Sequence, residues 1–300
     1  MTSQRRPVHW RHDRDHFFKY MSSETAKIVL ANRSLKWSLA SDFNDPFDMQ
    51  FDLHLEFDAD QLVRVCKEDA AEILLGKRGF EPQIGLGNVL SRLQTLSPRL
   101  PPPVLDEFLE LAFRTAIKNL PVDMPRMHAE LREHFKKYTV LCLSAVNDNL
   151  LMWSHYADHH RGVVLRFACL EEPDSSWSVA EPIVYSAKMP RFVDQDELRN
   201  LFVGQADLRR DVIVKRTILT KAEDWKYERE WRVYNFAQTY AAQFLSFNPE
   251  ELAAVYFGCR ASETDQVTIM EAAQKVNRGV EFYVARKAGR AFAIEFERLM

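Results

Sequence analysis

The spacing of apolar and polar positions along the chain predicts an irregular mixture of strands and helices. Strands are predicted where apolar residues alternate with polar ones or form short runs bounded by turn residues. These segments are 17–20, 34–39, 49–57, 138–144, 162–167, 179–185, 225–236 and 252–258, with a terminal hairpin over 279–295. Helices are predicted where apolar residues recur every three or four positions. These segments are 25–32, 149–158, 198–220 and 264–276.

The stretch 60–137 differs from the rest because its apolar positions keep helical spacing almost throughout. This predicts a helical insert of some four helices at about 60–137. Outside the insert, helices interrupt strands without strict βαβ alternation, which favours an α+β fold with a mostly antiparallel mixed sheet. Residues 1–16 are polar and predict an irregular N-terminal arm, so that 17–300 is expected to form a single α+β domain.

Composition and charge exclude several classes of protein. A formal net charge of −3 with 46% hydrophobic residues excludes wholesale disorder and argues against a protein that mainly coats nucleic acid. The 9 glycines form neither GxGxxG nor GxxxxGK[ST], the fingerprints of common phosphate-binding loops. The 4 cysteines form no CxxC pair, and no apolar run reaches the roughly 18 residues of a membrane span. We therefore expect a cytoplasmic protein with no membrane partner.

The first segment with candidate chemistry is the run SDFNDPFD at 41–48. Asn and Asp before proline favour a turn, because their side chains bond nearby backbone N–H groups. One interpretation is a rigid turn whose phenylalanines fill the core. The other is a polar lip of a cleft, in which Asn44 and Asp45 bind a ligand.

The second segment is NDNLLMWSHYADHHRG at 147–162. Asn147 or Asp148 is expected to cap a helix that ends at Gly162. His155 and His159 would share one face of that helix, a spacing suited to zinc, but the sequence offers no third ligand and we predict no metal site. His155 is instead a candidate catalytic group, and His160 is a candidate substrate contact.

The third segment is KAEDWKYEREWRVY at 221–234. On a strand, Glu228, Glu230 and Arg232 would share one face. Two carboxylates this close repel each other unless a cation or ligand lies between them, and Arg232 could supply that charge. The pattern is compatible with an exposed charged face or with a carboxylate pair that faces a cleft.

Taken in order, these segments resemble a bacterial family catalogued as domain of unknown function 2971. The resemblance rests on a short KY strand, FNDPFD, CLS, LMWSHYADxHxG, WxYExEWR and YFG, which here lie between about residues 17 and 295. The family implies no established activity.

A further resemblance, at the level of fold, is to ADP-ribosyltransferases. It implies an NAD-dependent enzyme of a toxin or phage-defence type, with NAD as co-substrate and an unknown protein or nucleic-acid acceptor. Glu230 would stabilise the oxocarbenium-like centre, and Glu228 would orient the acceptor nucleophile. The other implied roles are contacts with the nucleotide: Lys19 or Tyr20 on the ribose or phosphate, Ser38 beside the glutamate, and Tyr156 or Trp153 stacked on nicotinamide.

Two alternatives belong to other classes of function. A metal-dependent phosphodiesterase would use Asp45, Asp48, Glu228 and Glu230 as oxygen ligands for Mg²⁺, with His155 as base. A non-catalytic module would use the same aromatic and charged segments to bind a nucleic acid or a protein.

Overall fold

The computed structural model describes residues 9–50, 54–96, 99–172, 174–236 and 243–299. The strands are β1 (His16–Met21), β2 (Ser34–Lys36), β3 (Ser38–Leu39), β4 (Tyr138–Ser144), β5 (Val163–Ala168), β6 (Glu181–Pro182), β7 (Val184–Ser186), β8 (Thr220–Ala222), β9 (Glu230–Phe236), β10 (Phe244–Ser246), β11 (Leu252–Phe257), β12 (Glu281–Lys287) and β13 (Ile294–Arg298). The helices are α1 (Ser23–Asn32), α2 (Ala59–Leu74), α3 (Gly87–Leu96), α4 (Pro102–Phe135), α5 (Leu150–His155), α6 (Gln195–Phe202), α7 (Arg210–Ile218) and α8 (Glu263–Val276). None of the helices in these ranges combines the length and apolar character needed to cross a membrane.

The chain divides into two compact units. Unit 1 comprises Met1–Gln50, Phe135–Ala187 and Leu219–Met300, and unit 2 comprises Phe51–His134 and Lys188–Ile218. The predicted helical insert at 60–137 overlaps the first segment of unit 2. The predicted irregular arm is described only from His9 onward, where residues 9–15 form neither helix nor strand, and β1 already begins at His16.

Unit 1 is built on one mixed sheet with the strand order β13-β12-β11-β5-β1-β4-β9-β6, and β3 also pairs with β4. All of these pairs are antiparallel except β11 with β12, which α8 connects. The predicted α+β class is therefore confirmed. A large apolar core includes residues of five sheet strands and of both long helices of the unit: Phe17, Leu30, Leu141, Leu165, Val255, Ile269 and Phe282.

The register of the strands determines which side chains lie next to each other on the face of this sheet opposite the large apolar core. Phe18 of β1 pairs with Ser144 of β4, and Ser144 pairs in turn with Glu230 of β9. Since directly paired residues point to the same face, an aromatic, a hydroxyl and a carboxylate lie side by side. Arg232 joins them because it is two residues beyond Glu230 on the same strand.

Unit 2 is helical around its own apolar core. Leu62, Ile73, Leu90 and Phe113 are almost fully buried there. The buried carboxylate of Asp69 on α2 accepts hydrogen bonds of 2.5 and 2.6 Å from the guanidinium of Arg199 on α6. A bidentate pair of this kind fixes the two helices relative to each other.

The strand predicted over 49–57 is wrong in the residues that the structure describes. Met49 is buried with a φ of 59°, which interrupts an extended chain, and His54 forms only a single bridge with Arg191. Residues 51–53 lie outside the described ranges. The described residues of this stretch, 49–50 and 54–57, form no regular strand despite the alternating pattern.

Other predicted helices and strands have different bounds in the structure. One helix, α4, replaces the two predicted around 104–135, even though it contains Pro121 and Pro125. The predicted helix 198–220 is two helices and a strand, and the predicted strand 179–185 is split between two sheets. The predicted strand 225–236 begins only at Glu230, since Glu223–Glu228 is a 3-10 helix and Arg229 is left-handed with a φ of 45°.

Candidate functional site

A cleft of about 410 Å³ opens on the face of the unit 1 sheet that carries Ser144 and Glu230. This volume falls within the range of about 300–1,000 Å³ that is typical of small-molecule sites. Its lining combines aromatic and polar side chains: Phe18, Lys19, Tyr20, Ser38, Asp42, Phe43, Asn44, Cys142, Leu143, Ser144, Met152, His155, Tyr156, Lys221, Glu228 and Glu230.

One wall of the cleft contains a lysine between two strands. β1 and β4 pair only at Phe18 and Ser144, and the Lys19 ammonium donates a 2.8 Å hydrogen bond to the Cys142 carbonyl. Within the described part of the chain, no carboxylate lies within ion-pair distance of Lys19. Because an ammonium has three donors, two remain for a ligand.

The floor of the cleft is a buried cluster of five charges. Its three carboxylates are Asp48, Glu228 and Glu230, and its two cations are Lys221 and Arg232, all at most 7% exposed. The Arg232 guanidinium donates to Asp48 at 2.5 and 2.9 Å and to Glu230 at 2.6 and 3.1 Å. With every group ionised, the cluster carries a formal charge of −1.

Lys221 joins the two glutamates. Its ammonium donates to Glu228 at 2.5 Å and to Glu230 at 2.9 Å, and it lies 3.5 Å from Asp48. The other oxygen of Glu228 accepts a 2.6 Å hydrogen bond from the Tyr156 hydroxyl. Glu228 therefore contacts one cation and one neutral donor, whereas Glu230 contacts two cations.

Because of this difference, the pKa values of the two carboxyl groups shift in opposite directions. Burial is the largest influence on both and raises the pKa of each. At Glu230 the charges of Arg232 and Lys221 outweigh burial and hold the pKa well below its usual range. At Glu228 the charge of Glu230 adds to burial, Lys221 opposes them only in part, and the pKa is raised. Such divergent pairs are characteristic of acid–base sites.

A tight turn brings Glu228 onto this floor. The chain leaves β8, forms the 3-10 helix Glu223–Glu228 and passes through left-handed Arg229 into β9. The Ser144 hydroxyl donates a 2.7 Å hydrogen bond to the Glu228 carbonyl, which anchors the turn to β4. Glu228 and Glu230 thus meet at Lys221 although only Glu230 lies on a strand.

The first predicted segment supports the cleft from one side. Asp45 accepts hydrogen bonds from the Trp225 indole at 2.7 Å and from the Phe47 amide at 2.8 Å. The Phe43 ring lies 5.2 Å from the Arg232 guanidinium and also lines the cleft. The first interpretation is correct for the turn, which Asp45 holds, but wrong for its phenylalanines, because Phe43 lines the cleft and Phe47 is 60% exposed. Of the two residues named in the second interpretation, only Asn44 lines the cleft.

The structure brings most of the predicted site residues together. Eight of them line the cleft: Lys19, Tyr20, Ser38, Asn44, His155, Tyr156, Glu228 and Glu230. His155 shares a 3.1 Å hydrogen bond with Tyr227, and Tyr20 donates one of 3.0 Å to the Val146 carbonyl. Their roles toward a ligand stay predictions.

Four predicted site residues do not line the cleft. Asp45 is buried in its turn, and Arg232 lies beneath the lining, paired with two carboxylates. Trp153 is fully buried and donates to the Asn147 carbonyl, and the ring of His160 stacks against it at 6.3 Å. The apolar bulk of Trp153 is used in the core, so it is not available to stack on a ligand.

Lys221 is the central group that the sequence analysis missed. It begins the third segment, yet its contact with Glu228 requires a 3-10 turn in place of the predicted strand. The signal in the sequence is the pair Glu228 and Glu230, since two carboxylates this close require a nearby cation. Asp48 was considered only as a metal ligand, but its partner is Arg232.

The arrangement differs from the metal sites considered from the sequence. α5 ends at His155, and His159 has a φ of 54°, so the two histidines are not on one helical face. No group of three or more His, Cys, Asp or Glu within the described ranges is arranged to hold a metal ion. The oxygens of Asp48, Glu228 and Glu230 face the cations Lys221 and Arg232.

Comparison with known proteins confirms the resemblance over one part of the chain. A family model described as a protein of unknown function (DUF2971) matches residues 152–233. That range includes most of the helix α5 segment and the YEREWR run with both glutamates. Neither the curated proteins nor the solved structures contain a match.

Proposed function

We propose that this protein, whose residues 152–233 match a family of unknown function, is an enzyme that cleaves the N-glycosidic bond of a nucleotide, with NAD⁺ as the co-substrate. The observation that carries the proposal is the buried cluster under the cleft, in which two glutamates share Lys221 but have pKa values shifted in opposite directions. Such a pair supplies a fixed negative charge and a proton acceptor within one site.

Glu230 suits the role of the fixed negative charge. Its lowered pKa keeps it ionised, and Arg232 and Lys221 hold its two oxygens in place. Breaking the nicotinamide–ribose bond leaves positive charge on the ribose C1′. A preorganised anion in a water-poor site stabilises that charge more in the transition state than in the ground state.

Glu228 suits the role of general base. When the C1′–N bond breaks, nicotinamide leaves as a neutral molecule with the bonding electrons. An acceptor hydroxyl or water then forms the new C1′–O bond and transfers its proton to Glu228. The raised pKa of Glu228 strengthens it as a base while it is ionised, so the rate should increase as pH rises through that pKa.

Lys19 suits the anionic part of the same ligand. It is among the residues that line the cleft, and its ammonium has one backbone carbonyl as partner, so a pyrophosphate oxygen can take its other donors. A ligand that fits both ends is anionic at one end and becomes cationic at the reacting carbon. NAD⁺ has this distribution of charge.

The test is release of nicotinamide from NAD⁺, measured by chromatography with water and with a panel of protein and nucleic-acid acceptors. We expect wild-type protein to release nicotinamide, and Glu228→Gln and Glu230→Gln each to lower the rate about 10²-fold or more, in line with loss of a general base or an electrostatic stabiliser.

The matched control is Glu223→Gln, in the same 3-10 helix as Glu228 but 58% exposed and, among the described residues, paired only with Lys226. It should keep the wild-type rate. Thermal unfolding of each variant separates loss of chemistry from loss of fold. Wild-type protein that is inert towards NAD⁺ with every acceptor, or a Glu228→Gln variant of full activity, contradicts the proposal.

A further inference from the structure

A basic surface lies outside the cleft in unit 1, at one edge of the sheet. β11 pairs in parallel with β12 and antiparallel with β5, so the loop after Phe257, the hairpin end beyond Val284 and the loop before Val163 lie at this edge. We define this basic hairpin surface by His159, Arg260, Lys287, Arg290 and Phe292. The proposed chemistry of the cleft uses none of these residues, and none of them lines the cleft.

Two loops meet at the base of this surface. Asp158, His159 and His160 are three consecutive residues with positive φ, between 45° and 66°. The His160 carbonyl accepts a 3.0 Å hydrogen bond from the Arg260 amide, so the second loop packs directly on the first. A side chain at Gly258 would meet the same carbonyl at 2.1 Å, which leaves no room for any other residue there.

The hairpin supplies the outer part of the surface. Lys287 and Ile294 form the last pair of β12 and β13, and the Ala288 amide donates to the Ala293 carbonyl at 3.1 Å to close the loop. Phe292, in this loop, is fully exposed. Its ring is therefore open to solvent and free to stack on a ligand.

The surface keeps a positive charge after its internal ion pairs are counted. Asp158 is paired with Arg161, and Glu297 is paired with Arg286. By contrast, Arg260, Lys287 and Arg290 form no ion pair with any residue in the described ranges. Of the other hairpin carboxylates, Glu281 is paired with Arg166 and Arg298, which leaves Glu295. After burial, the charges of Arg260, Lys287 and His159 lower the pKa of His160.

We infer that the basic hairpin surface binds single-stranded nucleic acid, with Arg260, Lys287 and Arg290 on backbone phosphates and Phe292 stacked on a base. Cations along a backbone path with an aromatic ring on which a base stacks are the recurring elements of such sites. An anionic lipid surface fits less well, because one phenylalanine offers little apolar area to insert. The inference stands without the proposed reaction, although a bound strand could also serve as its acceptor.

The experiment measures fluorescence anisotropy of a labelled 20-nucleotide single-stranded RNA and of its DNA counterpart, between 50 and 200 mM salt. We expect wild-type protein to bind, with an affinity that falls steeply as salt increases, since each phosphate contact contributes about 0.7 to the logarithmic slope. Lys287→Gln/Arg290→Gln should weaken binding at least tenfold and reduce the slope by about 1.4.

Phe292→Ala should weaken binding about tenfold with no change in the salt slope, because it removes stacking and not charge.

The matched control for the double hairpin variant is Arg126→Gln/Lys226→Gln, which removes two exposed cations elsewhere in the chain. Glu228→Gln should bind as wild type does, so the two proposals can fail separately. Absence of binding at 50 mM salt, an unchanged affinity in the hairpin variants, or binding only to phosphatidylserine vesicles overturns the inference.

Discussion

At the scale of single residues, Lys221 is the group on which the geometry of the site depends. Its ammonium lies within 3.5 Å of three carboxylates and 5.1 Å from the Trp225 ring. Burial alone would lower the pKa of Lys221, but Glu230, Glu228 and Asp48 outweigh burial and raise it. The lysine is therefore charged at neutral pH.

Replacing Lys221 by methionine should destabilise unit 1. The side chain keeps its length but loses the charge, leaving Glu228 and Glu230 buried with one cation fewer. Removing one partner of a buried pair costs about 3–5 kcal/mol. Urea unfolding at pH 7 measures this directly, and tryptophan fluorescence reports on unit 1, since all 6 tryptophans belong to its segments.

The control for that experiment is Lys226→Met, five residues along the chain. Lys226 is 69% exposed and lies 3.6 Å from Glu223, so its loss should change the free energy of unfolding by no more than about 0.5 kcal/mol. If Lys221→Met were as stable as Lys226→Met, the buried cluster would not be held by that lysine.

The residue types in the sequence predicted which residues line the cleft better than they predicted which charged residues pair with each other. Paired glutamates and the FNDPFD and MWSHYAD runs indicated residues that line the cleft, because polar groups in such number exceed what a core requires. The pairing of Asp48 with Arg232 was not predictable, because these residues come from segments far apart in the sequence. The pairing of Lys221 with Glu228 was not predicted because it requires a 3-10 turn in place of the predicted strand. The separation in sequence between Asp48 and Arg232 is 184 residues.

At the scale of elements, the short helix α5 depends on its cap. The Asn149 side chain accepts hydrogen bonds from the amides of Leu151 at 2.9 Å and Met152 at 3.1 Å. The N-cap is therefore Asn149, and the prediction of Asn147 or Asp148 is wrong. A helix of six residues has little stability of its own, and this cap positions His155 and Tyr156 at the cleft.

Asn149→Ala should lower the free energy of unfolding by about 1 kcal/mol through loss of these two bonds. Asn147→Ala is the matched control, because Asn147 contributes its backbone carbonyl to Trp153 and the substitution keeps that group. Urea unfolding of both variants, followed by tryptophan fluorescence, distinguishes them. Equal stability of the two alanine variants would refute the assignment of Asn149 as the cap.

The spacing of apolar residues predicted the presence of helices and strands more reliably than the residues at which they begin and end. Strands with a clear apolar face, such as β4 and β11, were predicted correctly because burial on a sheet imposes that pattern. The prediction was wrong over 225–228, where alternating residues form a 3-10 helix that side-chain contacts hold in place. It was also wrong at Met49, whose backbone is left-handed despite an alternating sequence.

At the scale of the whole molecule, the charge of the cleft is uneven while the net charge of the chain is only −3. The buried cluster contributes a formal −1 at the floor, and Lys19 contributes +1 at the wall. Because both lie in a partly desolvated site, their fields are stronger than the same charges would be in water. A ligand that is anionic at one end and gains positive charge at the other matches this distribution.

Equilibrium binding of ADP-ribose, measured by isothermal titration calorimetry at pH 7, tests this match most directly. ADP-ribose contains the pyrophosphate and ribose of NAD⁺ but does not react, so binding is separated from turnover. We predict that wild-type protein and Lys226→Met bind it equally and that Lys19→Met binds at least tenfold more weakly, which corresponds to about 1.4 kcal/mol. No binding to the wild-type protein, or equal binding to Lys19→Met, would contradict the account.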